Sequence, residues 1–154
     1  MPAGELSVRE VVTAARETSV LDAAKLMRRE HVGDIVVADI VDGRYIPVGM
    51  VTDRDMVLEV IALDLNPADL SLEDIMTENP TTINEREGVF QSIRLMRAAG
   101  VRRAPVVDDE GGLTGIVSVD DLIGLLAGEM DELSELISRE RRREIHTRPA
   151  NVVH

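Results

Sequence analysis

The sequence predicts an α/β fold built from two copies of one small unit packed sheet to sheet. Three observations lead there. The segment VLDAAKLMRREHVGDIVV (Val20 to Val37) returns as VFQSIRLMRAAGVRRAPVV from Val89 at a constant offset of 69 residues, with Val20, Leu26, Met27, Arg28, Val32 and Val37 recurring identically. GMVTDRD (Gly49 to Asp55) returns as GIVSVDD (Gly115 to Asp121) at an offset of 66, so the first copy holds three extra residues between its strands. Each copy also runs through helical and strand-like periodicities in the same order.

The first copy opens with a short extended piece, Val11 to Ala14, followed by a helix whose apolar stripe is Val20, Ala23, Ala24 and Met27. Strand-like runs come next, Ile35 to Ala38 and Ile46 to Val51, joined around Asp42-Gly43, a dipeptide suited to the left-handed backbone of a tight hairpin. A second helix covers Met56 to Leu63. The second copy repeats the plan with Thr81 to Ile83, a stripe of Val89, Ile93 and Met96, strands Ala104 to Val107 and Leu113 to Val117 joined through DDEGG, and a helix from Leu122 to Leu126. Between the copies, DLNPADLSLED (Asp64 to Asp74) carries proline and polar punctuation. The organisation is therefore a first repeat at 8–63, a linker at 64–74, a second repeat at 75–127 and a charged C-terminal helix and tail at 128–154. One unit of about 55 to 60 residues buries too little surface to be stable alone, whereas two can share a core.

Composition removes several classes of function. The 154-residue chain has a formal net charge of -12 and a pI near 4.6, which opposes general binding to nucleic acid or an anionic membrane. One Tyr, one Phe and no Trp leave no aromatic platform for stacking bases. With no cysteine there is no disulfide, thiolate metal site or cysteine nucleophile. No apolar run has the length of a membrane span, and Met1 to Glu10 lacks the basic and apolar regions of a signal peptide, so a soluble cytoplasmic protein is expected.

Two tandem copies, each ending in Gly, two apolar residues, Thr or Ser, two variable residues and Asp, resemble a pair of CBS domains, the cystathionine-β-synthase-type repeat. The likeness covers roughly Val8 to Ala127. It implies a Bateman module with pseudo-twofold symmetry and two clefts that take adenosine-containing ligands such as AMP, ADP, ATP or S-adenosylmethionine. It also implies a homodimer joined through helical faces, an adenine nucleotide as ligand with no required cofactor, and a regulated partner protein. An aspartate in the first turn of a helix can accept both ribose hydroxyls, while a Thr or Ser hydroxyl and free N–H groups at the helix start can hold phosphate.

By this resemblance one cleft joins Thr52, Arg54 and Asp55 to Thr81, Ile83, Arg102, Arg103 and Pro105 of the opposite repeat. The other joins Ser118 and Asp121 to Val12, Ala14, Gly33, Asp34 and Val36. The clefts are then unequal: arginines suit phosphate in the first, and the Asp34 carboxylate repels it in the second.

Plainer readings stand beside these. Thr52 to Asp55 and Ser118 to Asp121 each read as a hydroxyl N-cap with a carboxylate three residues on, a device worth about 1 kcal/mol without any ligand. Arg102 and Arg103 read equally as a solvated pair at a helix end. Met27 and Met96 belong to the core stripe, and the Asp108-Asp109-Glu110 loop reads as a turn and not a calcium loop. Nothing near His31, His146 or His154 completes a metal set or a catalytic triad, so no enzymatic centre is expected. The stretch from Glu129, EMDELSELISRERRREI, continues the last helix with Met130, Leu133 and Ile137 along one side. Its arginines, offset by glutamates and by the negative body, fit a dimer or partner contact or a solvated tail better than nucleic acid. Pro149 onwards is expected to fray. The alternative to ligand sensing is an interaction or stress-related scaffold whose clefts are unused.

Overall fold

The structure is a computed structural model and describes residues 1–147. The chain forms two compact units, Met1–Val119 and a second that begins at Asp120. The expectation of a frayed tail from Pro149 lies outside the described residues.

In the first unit, a short helix α1 (Ala3–Leu6) precedes β1 (Thr13–Ala14), α2 (Val20–Glu30), β2 (Asp34–Val41) and β3 (Arg44–Thr52). Helix α3 (Asp53–Met56) runs on into a π-helical turn, Val57–Ile61. After a 3-10 turn at Pro67–Asp69 come α4 (Leu72–Ile75), β4 (Thr77–Glu78), β5 (Ile83–Asn84), α5 (Val89–Ala99), β6 (Arg103–Val107) and β7 (Leu113–Ser118). Helix α6 (Val119–Thr147) fills the described part of the second unit. The expected order of elements is present in both copies, with β2 and β3 extending beyond the predicted strands into a long hairpin.

One sheet has the order β1-β2-β3-β4 and the other β5-β6-β7, with β3 in contact with β7. The copies match in register. Ala14 pairs with Val37 and Ile83 with Val106, both in parallel. Each hairpin carries a bulge at the equivalent place, between Val37 and Ala38 and between Val106 and Val107. Asp42 and Gly43 take φ of 50° and 76°, the left-handed pair that a two-residue hairpin loop requires.

The helices follow from their sequences. Ser19 Oγ accepts the Asp22 N–H at 3.0 Å to cap α2, and His31 and Gly100 end α2 and α5 in the same left-handed conformation. Val20, Ala23 and Met27 face the core of the first copy, as Val89, Ser92 and Met96 do in the second. Ser92 stands where the first copy has Ala23, and its hydroxyl donates to the Gly88 carbonyl at 2.9 Å, so no buried polar group is left open there.

The repeats exchange their leading segments. Residues Thr77 and Glu78, which precede the second repeat's first helix, pair with Met50 and Gly49 of β3 in the first. The N-terminal segment does the reciprocal thing: Val8 exchanges two 3.0 Å backbone hydrogen bonds with Ile116 of β7, and Ala3 and Gly4 donate to the carbonyls of Glu87 and Glu85. Leu72 and Met76 consequently complete a core made otherwise of first-repeat residues, among them Val20, Ile35, Val51 and Val60. Gly49 and Gly115 make the close approach possible. A Cβ on Gly49 would run into the Met76 side chain, and one on Gly115 into Ser7 and, at 3.0 Å, the Val8 carbonyl oxygen.

Candidate functional site

The site begins where β3 turns into α3. Thr52, in extended conformation, ends the strand and caps the helix: its Oγ1 accepts the Asp55 N–H at 3.2 Å, and Asp55 Oδ2 accepts the Thr52 N–H at 2.9 Å. This reciprocal capping box fixes the Asp55 carboxylate at the first turn while leaving both residues half-buried. Asp53 Oδ1 accepts the Arg54 N–H at 2.8 Å, and Arg54 itself is exposed.

Each elbow is tied to the strand start of its own repeat in the same way. The Asp53 N–H donates to the Gly33 carbonyl at 2.9 Å, and the Val119 N–H donates to the Arg102 carbonyl at 2.8 Å. Asp34 lies opposite Thr52 in the β2–β3 ladder, and Arg103 opposite Ser118 in β6–β7. Ser118 is buried, while Asp121 lies on α6 in the second unit. Of the remaining expected residues, Val36 is buried and its N–H donates to the Val12 carbonyl at 3.0 Å, with Ala14 beside Val37. Ile83 and Pro105 are fully buried in the second sheet, and Thr81 is half-buried just before β5.

The structure adds a link between repeats that the sequence reading had divided between two clefts. Asp34 and Arg103 occupy equivalent positions, and Arg103 Nη1 stands 3.6 Å from Asp34 Oδ1. Asp34 is only 9% exposed, and among the described residues its Oδ2 has no hydrogen-bond partner. Burial pushes the Asp34 carboxyl above the usual range; Arg103 opposes this, and the nearby Asp53 carboxylate reinforces it. Because the folded-state pKa is raised, ionised Asp34 costs stability that is absent below the unfolded pKa, about 4, and grows as pH rises through the raised value. Asp34→Asn is therefore expected to raise the urea midpoint at pH 7 and leave it unchanged at pH 3. A lower midpoint at pH 7 would show that the pair with Arg103 outweighs the burial cost.

Two features carried no clear signal in the sequence. Arg16 grips Asp39 with three hydrogen bonds, Nε to Oδ1 at 2.9 Å and to Oδ2 at 3.2 Å and Nη2 to Oδ2 at 3.0 Å, and reaches Glu73 at 3.4 Å. The hydrogen bonds from Arg16 hold the Asp39 carboxyl below its ordinary range. Next to this cluster a cavity of about 390 Å³ is lined by Thr13, Ala14, Ala15, Glu17, Ala38, Asp39, Ile40 and Tyr45, sharing only Ala14 with the expected clefts. Asp108 shapes the loop expected to be a turn, with Oδ1 accepting the Glu110 and Gly112 N–H groups at 2.9 Å each. Among the described residues no group of three or more His, Cys, Asp or Glu side chains converges to hold a metal ion, and no helix is long and apolar enough to cross a membrane.

The CBS domain family model matches residues 3–62 and 72–128. The chain belongs to the CBS domain family. An uncharacterized protein of Methanopyrus kandleri is 34% identical over 120 residues, covering 78% of this chain and 60% of that protein, so the chain spans less than two thirds of this relative. An uncharacterized protein of Bacillus subtilis is 41% identical over 104 residues, 68% of each chain. A CBS domain protein from Pyrobaculum aerophilum complexed with AMP superposes with a TM-score of 0.70 at 26% identity, covering 79% of this chain and 89% of that one. A CBS domain pair in complex with 5-methylthioadenosine and S-adenosyl-L-methionine gives a TM-score of 0.70 at 27% identity over 84% and 98% of the two chains. The recognised family and the two-sheet α/β architecture agree with the sequence reading, and two of the similar structures hold adenosine compounds.

Proposed function

We propose that this protein binds an adenosine-containing ligand, AMP, ADP or ATP, and passes its occupancy to a partner protein without catalysing a reaction. The observation that carries the reading is the Thr52–Asp55 capping box, which presents a carboxylate and a hydroxyl at a helix start in a fold similar to that of an AMP-bound protein. A ligand alters the partner only by binding two arrangements of the module unequally. Within this reading a phosphorylated ligand prefers the cleft of Thr52 and Asp55, with Arg54, Thr81, Ile83, Arg102, Arg103 and Pro105 as its lining. The second cleft is that of Ser118 and Asp121, with Val12, Ala14, Gly33, Asp34 and Val36. For Arg103 to turn to phosphate, the ligand has to outcompete the Asp34 carboxylate that it now faces.

Calorimetric titration tests this. Asp55→Ala is expected to weaken AMP or ATP by about tenfold or more, the effect of losing charged hydrogen bonds, and Asp121→Ala by clearly less. Equal losses, or none, overturn the preference. The module is also expected to be a homodimer, supported by the exposed apolar Val57, Leu58 and Ile61 on the turn after α3. The same exposed residues favour a second reading, an interaction scaffold with unused clefts. Absence of thermal stabilisation by every adenosine compound in a panel would select the scaffold.

A further inference from the structure

Helix α6 carries an apolar seam that the ligand reading does not use. Leu126, Met130, Leu133 and Ile137 follow one another at intervals of four, three and four residues, the spacing that keeps one face of a helix against a partner helix. All four are exposed, at 36%, 67%, 57% and 54%. Continued towards the C-terminus, the same spacing reaches Glu140 and Glu144, which end the seam there, while three residues before Leu126 it meets Ile123, also exposed at 59%. From Leu126 to Ile137 it runs about 16 Å along the helix axis at 1.5 Å per residue.

Charge along the helix says what covers the seam. Residues 120–135 include six acidic side chains and no basic one, whereas 136–147 hold Arg139, Arg141, Arg142 and Arg143 against Glu140 and Glu144. A helix that is acidic at one end and basic at the other complements an identical helix laid antiparallel, and a twofold contact between copies needs a surface complementary to itself. A parallel pair would stack acid on acid and arginine on arginine. It would also place Glu129 against Ser134 and Leu136 against Arg141 at the flanking positions, forming no ion pair.

We infer that two copies of this chain pair through α6 in antiparallel orientation, with Leu126 opposite Ile137 of the partner subunit and Met130 opposite Leu133 of the partner subunit. In that register the arginines at 139–143 run alongside the acidic start of the partner helix, and each of these four residues meets an apolar one. The inference deepens the homodimer reading above and rests on it.

The test uses the full chain. Light scattering across a dilution series is expected to show a dimer, and Leu133→Asp to raise its dissociation constant at least about tenfold, with far-UV circular dichroism unchanged because Leu133 is exposed. Orientation is read from engineered thiols, which are unambiguous in a chain without cysteine. A mixture of Leu126→Cys and Ile137→Cys chains is expected to form mixed disulfides under mild oxidant, while Leu126→Cys alone does not cross-link. A monomeric parent protein overturns the homodimer reading and this inference together. A parent dimer unaffected by Leu133→Asp overturns the α6 surface alone, and self-cross-linking of Leu126→Cys overturns the antiparallel arrangement.

Discussion

Leu72→Ala is expected to lower the unfolding free energy by about 3 kcal/mol, within the range of about 2–5 for removing a buried leucine side chain. The site is fully buried, at 0% exposure. The Leu72 side chain belongs to a cluster made mostly of first-repeat residues, among them Val20, Ile35, Val51 and Val60. Backbone hydrogen bonds tie the same joint, since the Leu72 N–H donates to the Thr18 carbonyl at 2.9 Å and the Val20 N–H to the Leu70 carbonyl at 2.8 Å. The measurement is urea denaturation followed by circular dichroism. A single transition that moves to lower urea with an unchanged slope shows both repeats unfolding together. A loss below about 1 kcal/mol, less than a cavity at a buried site produces, would contradict the interlocked core.

Gly115→Val is expected to destabilise by about 2–4 kcal/mol, more than overpacking alone produces, because it also breaks backbone pairing. The added Cβ would meet Ser7 and the Val8 carbonyl oxygen, and backbone cannot yield as a side chain can. The two Val8–Ile116 hydrogen bonds would be lost, and Ala3, 1% exposed, would lose its seat. Gly49→Ala is the informative contrast. There the obstacle is the flexible Met76 side chain, with its Cγ at 2.9 Å, so a smaller loss is expected. If limited proteolysis cleaves near Ser7 in Gly115→Val and not in the parent, the undocking is seen directly. Equal stability of the two glycine variants would contradict the distinction drawn between backbone and side-chain obstacles.

Local features were legible in the sequence because local interactions determine them. Asp42-Gly43 reads as a tight hairpin since few other pairs tolerate two left-handed residues, and Thr52 to Asp55 reads as a capped helix start since hydroxyl and carboxylate sit three residues apart. The repeat carried the order of elements, and the structure adds equivalent bulges at Val37 and Val106 that no sequence pattern announced. What stayed hidden depends on partners far along the chain. Leu72 falls in 64–74, where proline and polar residues read as punctuation, and no local pattern announces that its side chain completes the first repeat's core. The exchange of leading segments is invisible for the same reason. At the site, the sequence supplied Asp34 and Arg103 but assigned them to opposite clefts. Their side chains stand 3.6 Å apart, a pairing across the repeats that no local pattern announces.

The exchanged segments also set an order of events during synthesis. Residues 3–8 are made well before their partners, Glu85, Glu87 and Ile116. The first repeat likewise waits for Leu72 and Met76 before its core can close. Contacts so distant along the chain carry a loop-closure cost that is repaid only once both ends are present. The first repeat's core can therefore close only once Met76 is available, and the pairing of Val8 with Ile116 has to wait longer still.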